Sequence, residues 1–194
     1  MAKIGIFGGT FDPLHRGHLA VARAALRRLK LDRLVFIPAG VPPHKQRHPL
    51  APFRHRFAML ELATMREPRF ALSRLEAKGV HYSIDTVCRM KRSLKKGDRL
   101  FFLIGADAFL EIATWRKAEQ LLRECEFIVA TRPGSSLKRI GRAAHGAAVH
   151  LLSGVNNRIS ATQVRAAARR GRPLTKLVPA AVAQSIKKNK LYQR

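Results

Sequence analysis

Short runs of consecutive apolar residues, each about the length of a β-strand, constrain the fold of this 194-residue chain most strongly. The clearest are Leu34–Ile37 (LVFI), Leu100–Ile104 (LFFLI) and Phe127–Ala130 (FIVA). A strand with one face in water alternates apolar and polar residues, whereas a strand covered on both faces is apolar throughout. These runs therefore predict the buried strands of a parallel sheet.

Longer stretches with apolar residues at helical spacing separate these runs. Further short strands are predicted at Lys3–Phe7, Phe70–Leu72 and Val149–Leu152. Helices are predicted at His18–Leu29, Ala51–Met65, Ser83–Leu94, Ala161–Arg170 and Pro179–Lys188. This alternation predicts an α/β fold, a Rossmann-like open parallel sheet with helices on both faces. We expect a single domain over residues 1–194, with a helical C-terminal part over about 159–194.

Neither a membrane span nor an export signal is evident in the sequence. No apolar run approaches the roughly 18 residues of a membrane span, and Ile4–Phe7 is too short for a signal peptide. The two cysteines, Cys88 and Cys125, form no C-x-x-C pattern, so we expect small buried apolar side chains rather than a disulfide framework. These features predict a cytoplasmic protein without membrane contact.

The net charge is strongly positive, because 38 Lys and Arg residues face only 12 Asp and Glu residues, a balance of +26. No acidic residue occurs between Phe127 and Arg194. Such a surface attracts polyanions, nucleic acids included. The basic residues are spread among apolar ones and form no single arm, which favours non-specific polyanion binding over a dedicated nucleic-acid function.

Ligands of parallel sheets bind at the carboxyl ends of the strands, and the segment after the first predicted strand is rich in candidate ligand contacts. Gly8 to His18 reads GGTFDPLHRGH. The glycines let main-chain amides approach an anion, and Thr10 adds a hydroxyl group. His15 and His18 are three residues apart, so a helix starting near Arg16 would hold both imidazoles on one face at its positive end. The segment predicts a phosphate site that is neither a dinucleotide fingerprint nor a P-loop.

A second phosphate site is predicted at Ile159–Arg165, which reads ISATQVR. Ser160 suits the N-cap of the following helix, and its hydroxyl, the first-turn amides and Thr162 or Arg165 converge on a place for an anion. Arg165 falls one turn in, where its guanidinium could hold a phosphate through two hydrogen bonds. Taken alone, the segment fits a capped helix with a solvated arginine equally well.

Together these segments resemble one known family. GGTFDPLHRGH resembles the HIGH motif of nucleotidyltransferases, and in particular its form in bacterial nicotinate-mononucleotide adenylyltransferases. Further motifs similar to that family are VPPHK at Val41–Lys45, YSID at Tyr82–Asp85 followed by Thr86, IGAD at Ile104–Asp107 followed by Trp115, and ISATQVR. The matches run from residue 4 to residue 165. H-x-G-H alone would not separate this family from its relatives, but the joint set does.

The resemblance implies adenylyl transfer from ATP to nicotinate mononucleotide, giving nicotinate adenine dinucleotide (deamido-NAD) and pyrophosphate in NAD biosynthesis. It implies ATP contacts from Gly8, Gly9, His18, Gly105, Asp107, Ser160, Thr162 and Arg165. It implies mononucleotide contacts from Thr10, Phe11, His44, Lys45, Tyr82, Thr86 and Trp115. A lone tryptophan more often lies in a core, but the resemblance implies that Trp115 stacks on the pyridine ring. It also implies that Thr86 and the backbone near Tyr82 contact the pyridine carboxylate.

His15, His18 and Arg165 are the predicted catalytic residues. The attacking phosphate is already ionised at neutral pH, so the protein must align two polyanions and neutralise charge rather than supply a general base. We expect Mg²⁺ on the ATP phosphates and water, and predict no protein metal ligand. Asp12, before Pro13, is interpreted as a brace for the loop. Surface or local hydrogen-bonding roles are expected for His48, His55, His81, His145 and His150.

Three alternatives stay open at this point. A sister nucleotidyltransferase acting on phosphopantetheine or making a CDP-alcohol would share H-x-G-H but should lack VPPHK and the Thr86/Trp115 pyridine site. An enzyme of the same fold could prefer nicotinamide mononucleotide. A basic nucleic-acid-binding protein could use an inactive nucleotidyltransferase scaffold. The sequence also leaves the oligomeric state open, a homo-oligomer included.

Overall fold

Parallel β-strands form the centre of the protein. The computed structural model describes residues 1–41, 50–131, 135–155 and 158–193. Within those ranges the strands are β1 (Lys3–Gly9), β2 (Arg33–Pro38), β3 (Phe70–Leu72), β4 (Arg99–Gly105), β5 (Glu126–Ala130) and β6 (Val149–Leu152). All pair in parallel in one six-stranded sheet with the order β3-β2-β1-β4-β5-β6.

The two faces of the sheet are covered by different helices. The helices of the described part are α1 (Arg16–Arg28), α2 (Phe53–Thr64), α3 (Ser83–Arg92), α4 (Ala106–Leu110), α5 (Ala118–Glu124), α6 (Leu137–Ala143), α7 (Ala161–Arg169) and α8 (Ala180–Lys188). Successive strand residues point to opposite faces. Phe7 therefore joins a first core with α1, α2, α7 and α8, while Ile6 joins a second core with α3, α4, α5 and α6.

This architecture confirms the predicted α/β fold with a Rossmann-like parallel sheet. Each predicted strand and helix is present, with ends shifted by a few residues. The shifted strand end that matters most for the candidate site is that of β1. The strand continues through Gly8 and Gly9, which pair with Ile37 and Pro38 of β2. The two glycines thus belong to the end of the strand rather than to the loop after it.

Three short helices, α4, α5 and α6, were not predicted. They are five, seven and seven residues long, too short for a helical apolar period to stand out from the sequence. They occupy the connections from β4 to β5 and from β5 to β6. Parallel neighbours need a crossover, usually helical, so topology requires helices there although the local pattern does not reveal them.

The strand order reverses between β1 and β4. From β1 the chain builds outward to β2 and β3 on one side, then returns to lay β4, β5 and β6 on the other. The register between β1 and β4 ends at Phe7 and Leu103, although both strands continue. Beyond that pair the two strands are no longer paired with each other, and the reversal of strand order at their carboxyl ends marks the crevice where open α/β sheets bind ligands.

Candidate active site

The start of α1 lies at this crevice and is capped by the two motif histidines. His15 is the N-cap, and its Nδ1 accepts a hydrogen bond from the His18 main-chain N–H at 3.3 Å. His18 Nδ1 accepts one in turn from the His15 main-chain N–H, also at 3.3 Å. The rings stack with centroids 3.6 Å apart and planes 22° from parallel. This is a capping box built from imidazoles instead of a hydroxyl and a carboxylate.

The cap also determines which ring nitrogen carries the proton. A nitrogen that accepts a hydrogen bond has no hydrogen, so in neutral His15 and His18 the proton lies on Nε2. Each ring thereby presents Nε2–H as a donor at the positive end of α1. His15 is only 6% exposed, and Phe11 packs edge-on against His18 at 5.2 Å. Packing and capping together hold the two donors in fixed orientations.

Gly17 brings the second motif beside the first. A Cβ on Gly17 would lie 3.0 Å from His15 Nδ1 and 3.3 Å from the Ile159 carbonyl oxygen. A larger residue would therefore push the start of α1 away from the segment that leads into α7. The main-chain N–H of Arg16 also donates to the Leu177 carbonyl at 2.9 Å. The H-x-G-H and ISATQVR motifs, about 140 residues apart, meet at one place because the glycine between the histidines has no side chain.

Ser160 caps α7, as predicted. Its Oγ accepts from the Gln163 main-chain N–H at 3.2 Å, and its own main-chain N–H donates to Gln163 Oε1 at 2.8 Å. Arg165 uses Nη1 to donate to the Asp12 carbonyl at 2.8 Å and Nη2 to donate to Thr162 Oγ1 at 3.3 Å. Arg165 thus joins α7 to the loop after β1, and two of its five N–H donors are engaged in doing so.

The residues expected to contact the pyridine ring lie around the start of α3. Tyr82 is its N-cap and Thr86 lies in its first turn. Arg116, next to Trp115, places its Cζ 4.6 Å from the centre of the Tyr82 ring. Trp115 is half-buried against the second core, with its ring centroid 6.4 Å from that of Phe102. The core contact and the predicted ligand contact are compatible, since one face of a half-buried indole can pack while another stays accessible.

Thr86 has a partner that the sequence did not reveal. Its hydroxyl, in a residue that is 5% exposed, donates to Glu76 Oε1 at 2.5 Å. Burial raises the pKa of Glu76, and the hydrogen bond from Thr86 opposes that rise. A pyridine carboxylate bound by the Thr86 hydroxyl would have to share that hydroxyl with the Glu76 carboxylate or displace the Glu76 carboxylate from it.

Other predicted residues are placed less directly. Gly105 is the N-cap of the short helix α4 and Asp107 lies exposed in its first turn. Thr10 is half-buried at the start of the loop after β1. The ring of Phe11 is 2% exposed and belongs to the first core, so a ligand contact would come from its backbone. His44 and Lys45, like His48, lie outside the described residues.

Three residues of this region were missed by sequence reasoning: Arg56, Glu76 and Tyr192. Arg56 had a visible signal, because it lies on the apolar stripe of α2, three residues after Phe53. Tyr192 donates its hydroxyl to Asp12 Oδ1 at 2.6 Å across 180 residues, and no local pattern marks that contact. Asp12 is 3% exposed and also accepts from the Ala51 main-chain N–H at 3.3 Å. These contacts support its interpretation as a brace.

An open groove of about 1090 Å³ lies at the opposite edge of the sheet, near the starts of β4 and β5. Two of its acidic residues form ion pairs: Glu124 with Lys91 of the same lining at 2.9 Å, and Glu126 with the neighbouring Arg99 at 2.7 Å. His150 also contacts Glu126 at 2.7 Å, which is the local role expected of it. The groove is far from the carboxyl ends of the strands and is not part of the candidate site.

Both cysteines are free and half-buried against the second core, and burial raises the pKa of Cys125 to about 12. Over the described ranges, no three His, Cys, Asp or Glu side chains gather in a metal-binding arrangement. No helix in the same ranges is long and apolar enough to cross a bilayer.

The family model of the cytidylyltransferase-like proteins matches residues 6–167 of this chain. A relative in Thermoanaerobacter sp. (strain X514), named "Probable nicotinate-nucleotide adenylyltransferase", is 40% identical over 99% of this chain and 95% of its own length. One of the same name in Solibacter usitatus is 53% identical over 68% of this chain and 71% of its own. The chain belongs to the nicotinate-nucleotide adenylyltransferases, within the cytidylyltransferase-like family.

A solved structure agrees on the fold. Plasmodium falciparum nicotinic acid mononucleotide adenylyltransferase, complexed with NaAD, matches with a TM-score of 0.84 over 99% of this chain and 98% of that one. Sequence identity is 20%, so this likeness concerns the fold alone.

Proposed function

We propose that this protein transfers the adenylyl group of ATP to nicotinate mononucleotide, producing nicotinate adenine dinucleotide and pyrophosphate. One observation carries the proposal: two capped helix starts, α1 and α7, meet at the strand-order reversal through the Gly17–Ile159 contact. Two adjacent positive helix ends suit a substrate with several phosphates. Full-length relatives carrying the activity in their names support the same assignment.

The reaction is an in-line displacement at the α-phosphorus of ATP. A 5′-phosphate oxygen of the mononucleotide forms the new P–O bond, the bond to the bridging oxygen of the β-phosphate breaks, and pyrophosphate leaves with that electron pair. The attacking oxygen is already ionised at neutral pH, so no proton has to be removed from it. Catalysis then consists of alignment and stabilisation of charge.

His15 and His18 supply preformed donors for this work. Their Nε2–H groups are oriented by the reciprocal cap and require no reorganisation when charge develops on a phosphate oxygen. Arg165 adds a permanent positive charge on α7, oriented by its bonds to Asp12 and Thr162. We assign charge stabilisation at the α-phosphate to the histidines, and binding of the β- and γ-phosphates to Ser160, Thr162 and Arg165.

Mg²⁺ fits this site as an ion carried by the substrate. The described residues contain no three-ligand cluster, and Mg²⁺ commonly keeps several waters while binding substrate phosphates. When bound, it would neutralise phosphate charge. Because both cysteines are free thiols, we also propose a reducing, cytoplasmic setting.

The test is pyrophosphate release from ATP and Mg²⁺ with a panel of acceptors: nicotinate mononucleotide, nicotinamide mononucleotide, phosphopantetheine and a phospho-alcohol. We expect the acid mononucleotide to have by far the highest kcat/KM, because a cationic protein favours its extra carboxylate. Equal kcat/KM for acid and amide would contradict the acid preference. Turnover of phosphopantetheine alone would move the protein to the sister class.

We further propose that the basic surface binds polyanions without sequence preference. Helices α1, α6, α7 and α8 contain no Asp or Glu, and no acidic residue occurs between Phe127 and Arg194. Binding through such charges releases counterions, so affinity should fall steeply with salt. Titration of unrelated DNA and RNA duplexes at low and physiological ionic strength checks this. Salt-resistant binding of one sequence would contradict it.

A further inference from the structure

Arg56 is a charged residue in the protein interior. It is 1% exposed and ranks among the largest fully buried side chains of the described residues. Burial lowers the pKa of its guanidinium, while the nearby Asp12 carboxylate acts in the opposite direction. A buried cation is destabilising unless its donors are satisfied, and an apolar side chain of similar volume would often stabilise a core better. The partners of Arg56 therefore indicate why a charge is kept there.

The hydrogen bonds of the Arg56 guanidinium go to main-chain carbonyl oxygens. Nε donates to Ala51 at 2.9 Å, Nη1 to Thr10 at 2.8 Å and Ala39 at 2.7 Å, and Nη2 to Gly40 at 3.0 Å. These carbonyls belong to three different segments: the loop after β1, the chain leaving β2, and the residues before α2. One planar guanidinium joins them at the carboxyl edge of the sheet.

The same loop is held from two further directions. Asp12 accepts from the Tyr192 hydroxyl and from the Ala51 main-chain N–H. Ala51 is therefore held twice, its N–H by Asp12 and its carbonyl oxygen by Arg56. On the other side, Arg165 donates to the Asp12 carbonyl. The loop that leads from β1 to His15 is thereby fixed at Thr10 and at Asp12.

Close packing shows that these segments have little room to move independently. A Cβ on Gly40 would come within 2.4 Å of the Glu76 carbonyl oxygen, so the chain leaving β2 is wedged against the segment that carries the partner of Thr86. Arg56 thus connects the backbone on the H-x-G-H side with the backbone on the Glu76–Thr86 side.

We propose that Arg56 is a positioning residue of the adenylyl transfer, holding the loop after β1 in register with the chain after β2 so that both substrate sites keep their spacing. The inference rests on the proposed function. It acts through main-chain groups, and no contact with substrate is assigned to Arg56. Small misplacements of reacting groups can lower rates by about 10²-fold. The expected signature is a lower kcat in a folded enzyme.

The test compares Arg56→Lys, Arg56→Ala and a matched control on the same helix, Met59→Ala. Lysine keeps the charge but cannot reach several carbonyls in one plane. Met59 is fully buried in the first core and makes none of the site contacts described above, so its truncation should lower stability without altering the site. Rates are expressed per folded molecule, with the folded fraction taken from denaturant unfolding.

We expect kcat of Arg56→Lys to fall about tenfold or more, by analogy with the loss of aligned charge-assisted bonds. Met59→Ala should stay within about threefold of the parent at temperatures where it is folded. Ethylguanidinium should restore part of the activity of Arg56→Ala, and ethylammonium should not, because only the first reproduces the planar donors. A parent-like kcat per folded molecule in Arg56→Lys would overturn the proposal, as would equal rescue by both cations.

Amide hydrogen exchange separates failure of this proposal from failure of the proposed function. Without any substrate, Arg56→Lys should accelerate exchange over residues 8–15 relative to Met59→Ala at matched stability. If the parent has no adenylyltransferase activity but amide exchange over residues 8–15 is still faster in Arg56→Lys than in Met59→Ala, the proposed function fails while the positioning contact stands. If the parent is active and loop exchange in Arg56→Lys equals that of the control, the positioning role is wrong.

Discussion

The first main-chain N–H groups of α1 and α7 are satisfied by capping residues of different kinds. Both helices begin with a reciprocal capping box, and both lie at the strand-order reversal. At α7 the cap is Ser160 with Gln163, and it is partly solvent-exposed. At α1 it is His15 with His18; the two rings stack, His15 is buried and His18 is half-buried. Either pair satisfies helix amides, but an imidazole that caps through Nδ1 also has a second ring nitrogen, whose orientation the cap fixes.

Capping and catalysis should therefore be separable by mutation. Loss of a cap lowers stability by about 0.5–2 kcal/mol. Loss of an oriented donor should lower turnover only at α1. Each helix start therefore serves as the control for the other.

The largest effect is expected from His18→Ala. The substitution removes the cap acceptor and the Nε2–H donor together, so kcat should fall roughly a hundredfold or more, by analogy with losing one oxyanion donor. Steady-state kinetics at saturating ATP and nicotinate mononucleotide measure the effect, and far-UV circular dichroism checks the fold. A variant within about threefold of the parent would show that His18 is structural only.

A smaller effect is expected from Arg165→Lys. Lysine keeps the charge but loses the fork that contacts Asp12 and Thr162. The value of kcat/KM for ATP should fall roughly tenfold, which corresponds to about one charge-assisted hydrogen bond. Arg172→Lys, at an exposed position beyond α7, is the matched control and should leave kcat/KM unchanged. Equal effects of the two substitutions would argue against a phosphate role for Arg165.

Ser160→Ala should affect stability more than turnover. Without the Oγ acceptor for the Gln163 amide, the free energy of unfolding should fall by about 1 kcal/mol. Urea unfolding measures that change, and kcat should remain within about threefold because no oriented donor of the α1 kind is lost. A hundredfold loss of kcat would erase the distinction between the two helix starts.

The smallest effect is expected at a third helix start, that of α3, which has no side-chain cap bond. There Thr86, in the first turn, donates its hydroxyl to Glu76. Burial raises the pKa of Glu76, so folding favours its protonated form. Its stabilising contribution is complete below the ordinary carboxyl pKa and is lost as pH rises through the raised value. Glu76→Gln stays neutral and should become progressively more stable than the parent across that window. Urea unfolding at several pH values tests this, and a pH-independent difference would contradict it.

Local chemistry made several features predictable. Fully apolar runs identify strands covered on both faces, and Ser160 before an apolar helical run is a sufficient signal for an N-cap. The spacing of His15 and His18 correctly indicated one helix start carrying both rings. Arg56 could have been found, because an arginine on the apolar stripe of a helix has few explanations other than buried partners.

Other features depend on contacts between distant parts of the chain. The Tyr192–Asp12 hydrogen bond, the Glu76–Thr86 pair and the Gly17–Ile159 approach have no local signature. The short helices α4 to α6 are likewise required by the parallel topology rather than by their own sequence pattern.

The fold class, two candidate phosphate sites and the chemical groups in them can be predicted from the sequence, because periodicity, capping and glycine content act over a few neighbouring residues. The tertiary structure sets which of those groups meet and which of their hydrogen-bonding atoms are already engaged. Thr86 and Arg165 each have a partner, and the Nδ1 atoms of the two histidines cap α1. That accounting depends on atoms brought together by the sheet, and no local pattern contains it.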